Sequence, residues 1–286
     1  MSQADLEQLA RWRAVGARRS EEVVELATRV LKSSKTGDQE WAIREQLAIA
    51  ALDIGRLGLA NEQISLLSSK FPKSPRVSIL QGLRLEAQND MDSARKVYQG
   101  LLKIDETNIS AHQRLISLSL STPQTAIPLL LTYLDTFYSD AAGWSLLADL
   151  YAELGLYAQS LSALGHVMLL QTWDSDAVCR AGEIAYTWGD YYKALKHFLR
   201  AAEMETDITT KQPGGKSRSW WGVRQATKRL LEGATTDFST VSSDSRPSLK
   251  QIQSLSELAT ERLLALGGSD LDIRRKVLAG GNETVR

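Results

Sequence analysis

The chain has 286 residues, 43% of them hydrophobic and 24% charged, with 34 basic residues balanced by 34 acidic ones. That composition fits a globular protein with a buried core, and the charge balance speaks against a general nucleic-acid binder, which carries a basic excess. A single cysteine, Cys179, excludes an intrachain disulfide and fits a reducing compartment. The opening residues lack the apolar core of a signal peptide, and no apolar run approaches the ~20 residues that cross a bilayer.

Residues 1–36 predict two helices. Leu6, Leu9 and Trp12 share one helical face, and Val23, Val24, Ala27, Val30 and Leu31 share another. This pair is expected to cap the repeats that follow, because a terminal repeat has an apolar face to cover.

From 37 to 206 one unit recurs. The stretch "GDYYKALKHFLRAAEM" (189–204) maps back by 34 residues, placing Gly189 on Gly155, Tyr191 on Tyr157, Phe198 on Leu164 and Gly182 on Ala148. The same step carries Ala60 to Ala94, Ile64 to Tyr98, Leu67 to Leu101 and Ala48 to Gly82. A period near 34 is the length of a two-helix unit. Small residues let the two helices cross closely, and aromatics fill the gap to the next pair. Five units are predicted, with first helices near 39–54, 75–89, 108–120, 141–154 and 175–188. Their second helices fall near 57–70, 92–104, 123–137, 157–170 and 191–205. In the third unit Pro123 suits a first helical turn, whereas Pro128 lies deeper and predicts a kink or a delayed start.

Residues 207–286 read as loop insertions and C-terminal capping helices. "TTKQPGGKSRS" is a loop by its Pro-Gly-Gly content, and "WWGVRQATKRLLEGA" returns to helix. The Ser/Thr-rich segment 235–248 predicts a mobile loop. "LKQIQSLSELATERLLALG" is a long amphipathic helix, and the final "GGNETVR" is expected to fray.

No catalytic machinery emerges. Neither GxxxxGK[ST] nor GxGxxG occurs. His112, His166 and His197 lie on separate predicted helices without zinc-ligand spacing, and Cys179 has no histidine near it in sequence. The chain therefore reads as non-enzymatic, with no cofactor and no metal.

The spacing and residue types resemble the tetratricopeptide repeat. Its pattern prefers Trp, Leu, Gly and Tyr in a first helix, then Ala, Phe and Ala in a second, with a later Pro. The resemblance implies an all-α, right-handed α-solenoid of tetratricopeptide-like helical hairpins with N- and C-terminal capping helices. Its first helices would line a groove for a helix or an extended peptide. By register that partner-binding groove includes Glu45, Ile49, Leu52, Asp53, Arg76, Ile79, Leu83, Glu86, Asp149, Glu183 and Tyr186. Ile49 and Leu83 stand where tetratricopeptide clamps for chaperone tails need Asn. A partner with alternating apolar and basic contacts suits the lining better. A second candidate surface is the basic run Lys211, Lys216, Arg218, Arg224, Lys228 and Arg229 beside Trp220 and Trp221, suited to anionic headgroups or an acidic partner.

A narrower resemblance rests on "IAALDIGRLGLA" (49–60), "FPKSPRVSILQGLRLEA" (71–87), Arg11-Trp12 and "DETN" (105–108). These are similar to the subunit 2 family of the endoplasmic reticulum membrane protein complex, over roughly residues 10–205. The resemblance implies a scaffold subunit of a hetero-oligomeric membrane insertase for tail-anchored and multi-pass proteins. Such a subunit is peripheral on the cytoplasmic face of the endoplasmic reticulum. It holds cytosolic segments of integral membrane subunits and other soluble subunits, and meets the membrane only through them. Matched Asp53, Arg76 and Glu86 project toward the groove as partner contacts, while Arg56 and Arg84 are candidates to tie adjacent repeats. The alternative is a tetratricopeptide adaptor of a chaperone or of another soluble assembly.

Overall fold

The computed structural model describes residues 3–32, 37–205, 217–233, 239–266 and 270–279. Among these residues the chain is all-α, with fifteen α-helices and no strand. Two helices lead, α1 (Gln3–Ala14) and α2 (Ser20–Lys32). Five hairpins follow: α3 (Glu40–Asp53) with α4 (Leu57–Lys70), α5 (Pro75–Ala87) with α6 (Met91–Ile104), α7 (Ile109–Ser119) with α8 (Pro123–Thr136), α9 (Ala141–Glu153) with α10 (Tyr157–Leu170), and α11 (Ser175–Trp188) with α12 (Tyr191–Met204). Each boundary lies within two residues of the expected one. Then come α13 (Ser217–Leu231), α14 (Leu249–Ala265) and a short α15 (Leu271–Leu278) that the sequence pattern had not marked.

The helices start where side chains supply what the first turn lacks. The carboxylates of Asp90, Asp140, Asp174 and Asp190 and the amide of Asn108 each accept a backbone N–H just inside the helix they precede. Ser248 and Gln251 form a reciprocal capping box at α14. Between first and second helices the chain turns through left-handed backbone at Gly55, Asn89, Gly155 and Gly189. Asparagine tolerates that conformation, so the second hairpin turns without a glycine. In the third hairpin α8 begins at Pro123 and runs through Pro128, so the delayed start does not occur.

The chain forms two compact units, Met1–Leu129 and Leu130–Arg286, and the division falls within α8 just after Pro128. In the first unit, Leu9 of α1 and Val23, Val24, Ala27 and Val30 of α2 cluster with Ile43, Leu47 and Ala51 of α3. Further along, Tyr98 of α6 is fully buried with Ala94, Leu101, Ala111 and Leu115. Its ring lies over Gly82, where any Cβ would run into it.

The second unit repeats that device twice on one residue. A Cβ on Gly182 would come within 2.8 Å of the Phe198 ring, and one on Gly222 closer still. Phe198 of α12 is therefore wedged between the bare backbones of α11 and α13. The loop insertion read from residue 207 onward breaks the sequence spacing but not the packing. The segment 206–216 displaces the 34-residue step, yet α13 packs on α11 and α12 as a further first helix and is covered by α14.

The expected mobile loop is pinned over its described part, 239–248. Asp190 is fully buried at the start of α12. Its carboxylate accepts from the Lys193 N–H (3.1 Å), the Ser239 hydroxyl (2.8 Å), the Thr240 N–H (2.9 Å) and the Thr240 hydroxyl (2.8 Å). Val241 is buried beside them, and the Arg246 guanidinium lies 4.9 Å from the Tyr192 ring centroid. Composition misled here because the hydroxyls and N–H groups satisfy a carboxylate about fifty residues away. Residues 235–238 of the expected loop, 206–216 and the terminal "GGNETVR" lie outside the described residues.

Two predictions follow from these contacts. Gly222→Ala overpacks against Phe198 and should cost about 1–3 kcal/mol, read as a lowered urea midpoint. Combined with Phe198→Leu, the loss should be less than the sum of the two singles. At Asp190, burial alone would raise the carboxyl, but its hydrogen bonds from Thr240, Ser239 and Lys193 hold it below the ordinary 3.8. Its stabilisation is complete above that ordinary value and is lost as the pH falls through the lowered one. Asp190→Ala should therefore speed proteolysis of 239–248 at neutral pH, and acidification should do the same to the parent chain.

Candidate partner-binding face

The first helices carry a ladder of ion pairs, each rung joining an acid to an arginine of the next first helix. In the first unit Glu45 of α3 meets Arg76 of α5 at 2.8 and 3.2 Å. Glu86 of α5 meets Arg114 of α7 through both carboxylate oxygens. In the second unit Asp149 of α9 pairs with Arg180 of α11, which also donates to the Ser145 hydroxyl at 2.7 Å. Glu183 of α11 pairs with Arg218 of α13 through two bonds of 2.6 Å. Asp53 closes the N-terminal end, accepting from Arg18 at 2.9 Å and from the Ser20 hydroxyl at 2.8 Å.

The rungs differ in strength. Arg76 is largely exposed, and such pairs contribute about 0.2–1 kcal/mol. The Glu86 side chain is 13% exposed and also accepts the hydroxyl of buried Tyr98 at 2.5 Å. Burial, and then the Glu86 carboxylate, push the Tyr98 phenol upward. Burial alone would lower the Arg114 guanidinium, but Glu86 more than offsets it and the net shift is upward. This rung thus locks α5, α6 and α7 through one carboxylate.

The predicted groove residues fall into three groups. Glu45, Asp53, Arg76, Glu86, Asp149 and Glu183 are all rungs, so their charges are neutralised within the chain. Leu52, Ile79 and Leu83 are half-buried against the hydrophobic clusters of the first unit. Ile49 and Tyr186 remain open to a partner. Ile49 is 37% exposed on a cleft of about 230 Å³ that also holds Glu45, Asp53, Arg76 and Trp12. Tyr186 lines a cleft of about 450 Å³ with Glu183, Arg218, Trp221 and the edge of Phe198.

Of the basic run, Arg218 belongs to the ladder. Arg229 lies 3.3 Å from the Tyr186 hydroxyl and 3.8 Å from Glu232, and Lys228 lies 3.9 Å from Glu232. Arg224 is half-buried, with a buried Nε that has no hydrogen-bond partner among the described residues. Trp220 is buried and Trp221 half-buried. Lys211 and Lys216 lie outside the described residues.

Adjacent repeats are tied by Arg76, Arg114, Arg180 and Arg218. Arg56 makes no ion pair among the described residues, and the buried Nε of Arg84 has no hydrogen-bond partner there. Arg18, Arg114 and Arg180 were missed by sequence reasoning. A signal for one of them existed, because Glu45–Arg76 and Asp149–Arg180 share a separation of 31 residues.

The Cys179 thiol is buried and pushed upward by that burial. The His197 imidazole is pushed down by burial and then by Lys193. His112 is buried with Nε2 2.9 Å from the Glu106 carbonyl. No group of three or more His, Cys, Asp or Glu side chains able to hold a metal occurs among the described residues.

No family model matches the chain. ER membrane protein complex subunit 2 of Xenopus tropicalis is 35% identical over 200 residues, covering 68% of this chain and 67% of that protein. The TPR repeat protein oca3 of Schizosaccharomyces pombe is 28% identical over 245 residues, 81% of this chain and 84% of its own length. Among solved structures, the C-terminal part of a TPR repeat-containing protein from Cytophaga hutchinsonii matches with a TM-score of 0.62. That match covers 97% of this chain and 99% of the other at 14% identity, a likeness of fold.

The ladder predicts an order of mutational effects. Arg114→Ala leaves a largely buried carboxylate short of donors and should cost about 1.5–3 kcal/mol. Arg76→Ala, at an exposed rung, should cost no more than about 1 kcal/mol. Denaturant titration of both variants against the parent chain checks that order.

Proposed function

The chain belongs to the ER membrane protein complex subunit 2 family, and on that premise we propose that it is a non-catalytic scaffold subunit of that complex. In this reading it sits on the cytoplasmic face of the endoplasmic reticulum membrane and grips cytosolic segments of integral membrane subunits together with other soluble subunits. The assembly inserts tail-anchored and multi-pass proteins, and this subunit contributes position, not a reaction step.

The observation that carries the reading is the kinship with subunit 2 over two thirds of both chains. The structure supports it in kind. Within each unit, ion pairs between consecutive first helices hold neighbouring hairpins in register, as a platform requires. No helix among the described residues is long and apolar enough to cross a membrane, which suits a subunit held there by others. With the acidic groove residues engaged in rungs, selective contact falls to Ile49, Tyr186 and Trp221 in the two clefts, the open apolar and aromatic positions a polypeptide segment uses as anchors.

In cells the protein should co-purify from detergent extracts with transmembrane proteins, and it should leave the membrane fraction when those proteins are depleted. Ile49→Arg should weaken that co-purification without lowering the denaturant midpoint. A full-size cytosolic pool indifferent to the loss of the membrane subunits would overturn the proposal.

A further inference from the structure

A separate face of the second unit has the features of a docking surface. Between Arg114 and Arg180 the sequence holds no lysine or arginine, while six acidic residues fall in the same stretch. Two turns in it carry large apolar side chains outward. Tyr138, in the turn from α8 to α9, is 72% exposed. At the end of α10 and in the turn to α11, Leu169 is 77%, Leu170 41% and Trp173 83% exposed.

These side chains belong to one continuous edge. Trp144 donates its indole N–H to the Tyr138 carbonyl at 2.9 Å, and its ring stacks on His166 of α10 at 4.0 Å between centroids. His166 lies one turn before Leu169 and Leu170. A depression of about 210 Å³ joins Ser145 and the start of α9 to Gln171 and Asp174 of the second turn and to Asp176 and Arg180 of α11. The outward face of α10 is uncharged, carrying Ala158, Gln159, Ser162 and His166.

Exposed aromatic and leucine side chains gathered at one edge mark an interaction site rather than an ordinary solvated surface. Trp and Tyr are the side chains that anchor such sites. The surrounding charge selects the occupant. Asp135 is exposed, Asp140 and Asp174 stand at the helix starts, and the nearest arginine in sequence, Arg180, is paired with Asp149. An anionic bilayer would be repelled, whereas apolar anchors flanked by Lys and Arg would meet attraction at the rim. We propose that this edge, built on Tyr138, Leu169, Leu170 and Trp173, docks a basic amphipathic segment of a partner polypeptide. The inference does not require membership of any one complex.

The test uses the full chain and a labelled synthetic helical peptide with Leu and Phe on one face and Lys and Arg on the other. A control peptide carries Glu in place of the basic residues, and vesicles of phosphatidylcholine with phosphatidylserine provide the lipid arm. Fluorescence anisotropy should show binding of the basic peptide only, weakened by added salt. Combined Leu169→Ser and Trp173→Ser should weaken it by about tenfold or more. Both positions are exposed, so the helical circular dichroism and denaturant midpoint should stay unchanged, separating lost contact from lost fold. Equal binding of the Glu peptide, absence of binding, or unchanged affinity in the double variant would each overturn the proposal. Flotation of the parent chain with the vesicles, abolished by the same variant, would assign the edge to lipid and overturn it as well.

Discussion

A phenylalanine ring lying on bare backbone sets the spacing of the second unit. Phe198 touches Gly182 on its own hairpin and Gly222 on the following first helix, so one side chain fixes both the crossing within a pair and the step to the next. Tyr98 and Gly82 do the same within a hairpin of the first unit. A methyl group at any of these glycines would push the helices apart, because close-packed interiors have no slack to absorb it. The ion-pair ladder depends on this approach. Arginines reach acids on neighbouring first helices only because the helices beneath them are held close.

The hairpins were legible because their signals are local and periodic. Small residues recur one unit apart, left-handed turn residues separate the two helices, and Asp or Asn caps stand before the starts. The Asp190 clasp was not legible, since it joins polar groups far apart in a segment whose composition alone suggests mobility. Nor did α13 declare itself as a further first helix. The segment before it shifts the numbering, although Gly222 and Arg218 keep their geometric places.

For the candidate site, register put the residues on first helices but did not show the use of their charges. Register placed Glu45, Asp149 and Glu183 correctly on the first helices, and their exposure suggested a basic partner. The structure gives each an arginine one repeat on. Register describes a single helix face and carries no information on what the adjacent helix presents to it. Apart from the shared separation of 31 residues at two rungs, the linear pattern gave no notice. The result, within each unit, is a lining closer to neutral than its acidic residues imply, with Ile49 in the first unit and Tyr186 in the second left as open apolar or aromatic positions.

The buried carboxylate of Asp190 also has a consequence for how the chain is made. Hairpins of this kind form from neighbouring segments and fold quickly as they leave the ribosome. Asp190 is different, because two of its hydrogen-bonding residues follow it by 49 and 50 positions. During synthesis the start of α12 therefore waits in water until Ser239 and Thr240 arrive. The stretch between Asp190 and Ser239 contains α13, which packs on α12, so docking of 239–241 follows the placement of α13.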